Sequence, residues 1–243
     1  MTLDNWSERR QAFGPAARAY AAGRPSYPIE AVRWALPDGA RAVLDLAAGT
    51  GKLTERLLDL GLEVHAVEPL AEMRAAIPAA ANPVDGTAEA IPLPDESVDA
   101  VTVGQAYHWF DPPAALAEMR RVLRPGGTIG LFWNTLDDSE PWVRELADLI
   151  DAEERASYIA ADPQPVWSGV DGLGEPEREI FRHAPLYDVE RLVAFIESRS
   201  QVILLPAEVR GAMVERVRAI TPGGEFALPL VCEAWRGARH ARR

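Results

Sequence analysis

The sequence predicts an α/β protein: a doubly wound, seven-stranded sheet, mostly parallel, with an antiparallel last strand and helical additions. Three observations predict it. Between residues 42 and 133, short apolar runs alternate with amphipathic stretches, the pattern of successive βα units. A turn of small residues, Ala47-Ala48-Gly49-Thr50-Gly51, joins the first apolar run to a helical stretch. A carboxylate, Glu68, closes the second run about 20 residues further on, the spacing of a nucleotide-binding βαβ unit.

The elements follow in order. Residues 1–36 read as two short helices broken by Gly23-Arg24-Pro25-Ser26-Tyr27-Pro28. The first strand is 42–46, and its helix runs from Lys52 to Leu60 and stops at Gly61. The second strand is 63–67, followed by a helix from Ala71 to Ile77 that Pro78 ends. A short third strand is expected at 83–85 and a fourth at 98–103. A helix from Pro112 to Leu123 takes Asp111 as its N-cap and closes at Arg124-Pro125-Gly126-Gly127. The fifth strand is 128–133. Beyond it the pattern becomes helical at 140–160, rich in Pro and Gly at 162–176, and extended at 179–184. Helices at 188–197 and 207–219 and a last strand at 227–235 complete the chain. The expected organisation is one domain over 1–243. It has a helical lid at 1–36, a ligand-binding core at 40–135, helical cap insertions at 136–176 and 186–222, and a last strand at 226–236.

A chain of 243 residues can bury a sizeable core. The net charge of −12 argues against broad nucleic-acid binding, which needs a cationic surface. Cys232 is the single cysteine, so no intramolecular disulfide or cysteine-rich metal site forms. No apolar run approaches the length of a membrane span, and the N-terminus carries no apolar signal segment, so a cytoplasmic protein is expected. Asp137 and Asp138 adjoin without a convergent third ligand, and no metal site is expected.

The glycine turn carries the chemistry. Gly49 and Gly51 allow unusual dihedrals and close approach of a ligand. Asp45, near the end of the first strand, is placed to accept hydrogen bonds from a cationic or hydroxyl-bearing ligand. The turn is not a dinucleotide fingerprint, because Leu53 stands where the third glycine would be. Nor is it a P-loop, because Lys52 is followed by Leu53. Val43-Leu44-Asp45-Leu46-Ala47-Ala48-Gly49-Thr50-Gly51 resembles the first motif of the class I S-adenosylmethionine (SAM) dependent methyltransferases, with Ala47 where that family usually has its first glycine. Asp85-Gly86-Thr87-Ala88-Glu89, Gly104-Gln105-Ala106-Tyr107-His108-Trp109-Phe110-Asp111 and Arg121-Val122-Leu123-Arg124-Pro125-Gly126-Gly127 extend the resemblance in matching order over residues 40–133. With Tyr20-Ala21-Ala22-Gly23-Arg24-Pro25, the chain looks like the small-molecule branch that includes trans-aconitate-methyltransferase-like proteins.

The resemblance implies a Rossmann-like fold, SAM as cofactor and S-adenosylhomocysteine as product. It implies methyl transfer to a small-molecule acceptor, with oxygen the preferred acceptor atom. Asp45, Ala47, Ala48, Gly49, Thr50 and Gly51 would hold the cofactor, and Glu68 with Pro69 the ribose. Thr87, Ala88 and Glu89 would flank the adenine, and Gly104 and Gln105 would stand beside the reactive methyl. Arg24 would pair with the methionyl carboxylate, and Tyr20 would lie near the methyl. His108 is the candidate general base, because an imidazole titrates near neutral pH; the alternatives are that it packs beside Trp109 and hydrogen-bonds the backbone, or contacts the cofactor. Trp133 and Asn134 end the fifth strand on the ligand side. Trp142, Tyr158, Trp167, Phe195 and Arg199 either line an acceptor pocket or pack in the core. The competing functions are a nicotinamide-dependent oxidoreductase, a macromolecular methyltransferase, and a SAM-binding regulatory protein. No membrane partner is expected, and the sequence leaves the oligomeric state open.

Overall fold

The computed structural model describes residues 23–151, 167 and 170–240. Strands β1 (Ala42–Leu46), β2 (Glu63–Val67), β3 (Val98–Gly104), β4 (Leu123–Leu136), β5 (Glu177–His183) and β8 (Leu230–Ala238) form one sheet in the order β2-β1-β3-β4-β8-β5. The β1–β2, β1–β3 and β3–β4 pairs are parallel. At one end of β4, Gly126 N–H donates to Arg239 O and Arg239 N–H to Gly127 O; at the other, Asp137 N–H reaches Pro229 O. The last strand therefore runs antiparallel to β4, as expected.

Seven strands were expected in this sheet, and among the described residues six form it. At the predicted third strand, Val84 makes a single parallel bridge to Val67. It exchanges hydrogen bonds with Glu68 N–H and Ala66 O. Pro83 has no N–H to donate, so the ladder cannot extend toward it. The last strand also differs from expectation. Phe226–Ala227 (β7) pairs antiparallel with Leu186–Tyr187 (β6), and β8 starts only at Leu230. Pro229 interrupts the run for the same reason. β4 is longer than the predicted 128–133, because Leu123 already pairs with Val98.

The helices among the described residues are α1 (Ile29–Ala35), α2 (Lys52–Asp59), α3 (Ala71–Arg74), α4 (Pro112–Val122), α5 (Pro141–Asp151), α6 (Val189–Glu197), α7 (Ser200–Ile203) and α8 (Ala207–Ile220), with 3-10 turns at Ala79–Ala81 and Tyr107–Trp109. The expected helix at 71–77 shortens to four residues before Pro78. Asp111 caps α4 by accepting from Ala114 N–H, with proline in the first turn. The first predicted helix of 1–36 and residues 152–160 of the predicted 140–160 helix lie outside the described residues.

Double winding shows in how the strands bury both faces. All five residues of β1 are buried. Leu44 and Leu46 join Val101, Ile129, Leu131 and the α4 residues Leu116 and Met119 in one core. Val43 joins Val32 of α1, Leu53 and Leu57 of α2, and Phe132 in the other. Period-two alternation thus feeds two apolar layers, as a parallel sheet covered on both sides requires.

Contacts divide the chain into two compact units. The described part of the larger is 26–134, 167, 170–181 and 232–240; that of the smaller is 23–25, 135–151 and 182–231. The smaller has its own core, built from Leu146, Leu192, Ile196, Val217, Leu228 and neighbouring apolar residues.

Candidate cofactor site

The site is built at the carboxyl ends of β1 and β2, where open α/β sheets bind ligands. Asp45, next to last in β1, has no exposed surface. Its Oδ2 accepts from Thr54 Oγ1 at 2.5 Å, in the first turns of α2. Its Oδ1 is buried and has no hydrogen-bond partner among the described residues. Burial pushes the carboxyl up to about 7; the Thr54 hydroxyl opposes this, and the nearby Glu68 charge adds to it.

The turn after β1 uses left-handed backbone repeatedly. Ala47 has φ 55°, Gly49 φ 58° and Gly51 φ 88°. A side chain at Gly51 would also place its Cβ 3.0 Å from Pro78 Cδ. Ala47 therefore holds a glycine-type conformation at a cost of about 1–2 kcal/mol. Ala48 N–H donates to Val67 O at 3.1 Å, which ties the turn to β2. Thr50 is buried, and its Oγ1 has no partner among the described residues.

Glu68 is buried just past β2. Its Oε2 accepts from Gly49 N–H and its Oε1 from Leu70 N–H, both at 2.9 Å. Pro69 stands in the chain between Glu68 and Leu70. Thr87 and Ala90 form a one-residue antiparallel bridge, Ala88 is buried, and Glu89 Oε1 accepts from Asp111 N–H at 3.1 Å.

Thr102 of β3 pairs in register with Asp45, so Gly104, two residues on, ends its strand beside the glycine turn. A Cβ at Gly104 would lie 2.5 Å from Tyr27 Oη, so the Tyr27 ring requires glycine there. Gln105 takes φ 57°, and its Nε2 donates to Asn134 O at 2.8 Å. His108 sits in the following 3-10 turn, partly exposed, with its ring 4.9 Å from that of Trp109. Trp133 Nε1 and the Tyr107 hydroxyl are buried without partners among the described residues. Burial pushes the Tyr107 hydroxyl up to about 12.

The larger unit thus brings Asp45, the glycine turn, Glu68, Gly104 and Gln105 to one end of the sheet. Arg24 belongs to the smaller unit, where Nε donates to Ser198 Oγ at 2.9 Å, Nη2 donates to Ser198 O at 3.1 Å, and the guanidinium lies over Phe195. Tyr20 and Tyr158 lie outside the described residues. Trp167 is fully buried in the core of the larger unit, edge-on to Tyr107, and Phe195 is core in the smaller. Trp142 packs edge-on against Phe226. Asp137 accepts from Ser139 N–H and pairs with Arg182.

Sequence reasoning missed three contributors: Thr54, which holds Asp45; Leu70 N–H, which shares Glu68; and Tyr27, which covers Gly104. Thr54 had a readable signal, a hydroxyl in the first turns of the helix that follows a strand-end carboxylate. The others depend on long-range packing.

Residues 44–131 match the model of a methyltransferase domain. An uncharacterized methyltransferase of Mycobacterium tuberculosis is 47% identical over 234 residues, covering 90% of this chain and 92% of its own. An uncharacterized methyltransferase of Schizosaccharomyces pombe is 34% identical, covering 80% of each chain. The chain belongs to the class I SAM-dependent methyltransferases. A solved structure of a candidate type II methyltransferase from Anaeromyxobacter dehalogenans is similar in fold, with a TM-score of 0.66 at 23% identity, covering 90% of this chain and 99% of that one. The family assignment decides against the oxidoreductase alternative.

Proposed function

We propose that this enzyme moves the methyl group of SAM to an oxygen, carboxylate or hydroxyl, of a small-molecule acceptor. The observation that carries the cofactor part is the pair of buried, unpartnered oxygens at the glycine turn, Asp45 Oδ1 and Thr50 Oγ1. Buried polar atoms in native proteins have partners, and one orphan at the end of β1 with another on the turn that follows it calls for a ligand that supplies them. The donor set fits SAM: a carboxylate for a cationic group, Glu68 for the ribose hydroxyls, and the Thr87–Glu89 segment for the adenine. Bound SAM supplies a methyl on a positively charged sulfur. In the transfer the acceptor oxygen forms a bond to that carbon as the carbon–sulfur bond breaks, and the electron pair stays on sulfur.

The chain's own contributions are binding, alignment and exclusion of water. Gly104 and Gln105 would border the methyl, and His108 would take the proton of a hydroxyl acceptor; an ionised carboxylate acceptor needs no base. Arg24 would meet the methionyl carboxylate and Tyr20 the methyl. In this reading the chain is a single methyltransferase domain with 40–135 as its core, and the helical additions at 1–36, 136–176 and 186–222 serve the acceptor. A small acceptor suits the strong negative charge, which disfavours RNA. Cytoplasmic residence belongs to the same proposal and fits a lone cysteine kept as a buried thiol.

Calorimetric titration with SAM and S-adenosylhomocysteine tests the cofactor assignment. Binding of both supports it, and a screen of small acids and phenols for labelled methyl transfer then tests the acceptor class. Binding of neither by folded protein overturns it.

A further inference from the structure

Three hydrogen bonds run in series across the ligand end of the larger unit. Ser26 Oγ donates to Lys52 O at 3.2 Å, at the first residue of α2 directly after the glycine turn. Asn134 Nδ2 donates to Ser26 O at 3.1 Å. Gln105 Nε2 donates to Asn134 O at 2.8 Å. The series starts beside the turn that follows β1, passes the end of β4, and finishes on the segment that follows β3.

The surroundings keep these groups in place. Asn134 is buried to 9% exposure, where an unmade hydrogen bond would be expensive. The Gln105 backbone sits at φ 57°, in the left-handed region, and its N–H donates to Phe132 O at 2.9 Å. A non-glycine residue keeps that conformation only where its surroundings over-determine it. Tyr27, next to Ser26, packs on Phe132 with ring centroids 5.8 Å apart and closes over Gly104. Thus main chain, side chain and neighbouring ring all hold the Gln105 turn.

We infer that Ser26, Asn134 and Gln105 are positioning residues, a relay that sets the 105–109 segment, with His108, in register with the glycine turn. The relay rests on reading this sheet end as the methyl-transfer site, and it adds roles for Ser26 and Asn134. Methyl transfer needs the acceptor side and the cofactor side aligned to within a fraction of an ångström. Two separate loops at the ends of neighbouring strands would not hold that alignment unaided. The relay couples them through Ser26 and Asn134, which do not border the methyl in this reading, and through the Gln105 side-chain amide, which is bonded to Asn134 O.

Hydrogen exchange of the full chain, read by mass spectrometry without cofactor, tests this. The Ser26 hydroxyl bonds only Lys52 O among the hydrogen bonds described for it, and it bonds no residue of the 105–111 segment. Ser26→Ala should still speed exchange in a 105–111 peptide by about fivefold, the opening expected from one lost hydrogen bond. Ser26→Thr, which keeps the hydroxyl, should restore slow exchange. Gln105→Ala should speed the same peptide at least as much. The near-isosteric Asn134→Asp, which replaces a donor with an acceptor facing Ser26 O, should do so with the β1 peptide still protected. Unchanged exchange at 105–111 in both Ser26→Ala and Asn134→Asp overturns the relay, and so does a Ser26→Ala effect that Ser26→Thr fails to reverse. Failure of the wild-type protein to bind SAM overturns the functional reading and leaves these exchange results as they are.

Discussion

Asp45 and Asp99 sit on neighbouring strands of one sheet, at opposite ends. Asp45 lies at the carboxyl end of β1, and Asp99 at the start of β3. Asp99 is fully used. One oxygen accepts from the main-chain N–H groups of Arg41 and Ala42, at 2.8 and 3.0 Å, and the other pairs with Arg124 at 2.7 Å. Partial burial works against its charge, but the Ala42, Arg124 and Arg41 bonds outweigh burial and hold the carboxyl below its usual range. Asp45 has one hydrogen bond, one orphaned oxygen and a carboxyl pushed up to about 7. The same side chain is a structural clip at one end of the sheet and an unmet demand at the other. The difference lies in partners: both Asp99 oxygens are bonded, whereas Asp45 Oδ1 has none among the described residues.

The largest expected effect separates these two residues on cofactor binding. Asp45→Ala should weaken SAM binding by roughly 10- to 100-fold, the worth of a hydrogen bond to a charged group. Asp99→Asn should leave it unchanged within about twofold, since the residue lies far from the turn. Calorimetry reads both, and equal losses would erase the contrast.

Stability should show the reverse order. Asp99→Asn is expected to cost about 1–3 kcal/mol in denaturant unfolding, because it breaks a charge-assisted network. Asp45→Asn keeps a partner for Thr54 and removes a buried charge, so it should not destabilise at pH 8. Loss of stability at Asp45 as large as at Asp99 would mean both carboxylates are clips.

The pH slopes should oppose each other. For Asp45 the folded carboxyl holds its proton more tightly than the unfolded one, whose ordinary value is 3.8. Its contribution to stability therefore falls as pH rises from that value to about 7, with a slope of at most ~1.4 kcal/mol per pH unit, and is flat above. Asp99 has a lowered carboxyl, so its contribution is present above the unfolded value and is lost as pH falls through the folded one. Unfolding curves of wild type, Asp45→Asn and Asp99→Asn from pH 4 to 8 separate the two. If the ionised Asp45 meets a cationic group of SAM, affinity should rise between pH 6 and 7 by up to about tenfold, and Asp45→Asn should remove that rise.

The smallest effect concerns Ala47. Ala47→Gly should relieve the left-handed strain, offset in part by glycine's unfolded-state entropy, for a net gain of about 0.5–1 kcal/mol. Thermal unfolding reads it; a loss of stability would mean the methyl group packs usefully against the core.

Much of this was legible in the chain itself. The β1 and β2 boundaries came from apolar runs, and the Asp111 cap of α4 from its Asp-Pro-Pro start, because these signals are local. The third strand was over-read, because an apolar residue between Pro83 and Asp85 cannot extend a ladder. The split at Pro229 was missed because a run rich in apolar residues hid the lost donor. Glu68 was read as a ligand for ribose alone; its bonds to Gly49 and Leu70 come from how two turns fold against each other.

The sequence by itself determined the glycine turn, the two strand-end carboxylates and the alternation that winds a sheet on both faces. Each is a periodicity or a residue type with one local use. Only the tertiary structure decided that Asp45 keeps an unmet oxygen, that Thr54 holds the other, and that Ser26, Asn134 and Gln105 join three segments. Those properties depend on which polar atoms burial brings within 3 Å or so of one another, and hydrogen-bond geometry at that range is set by packing between distant segments.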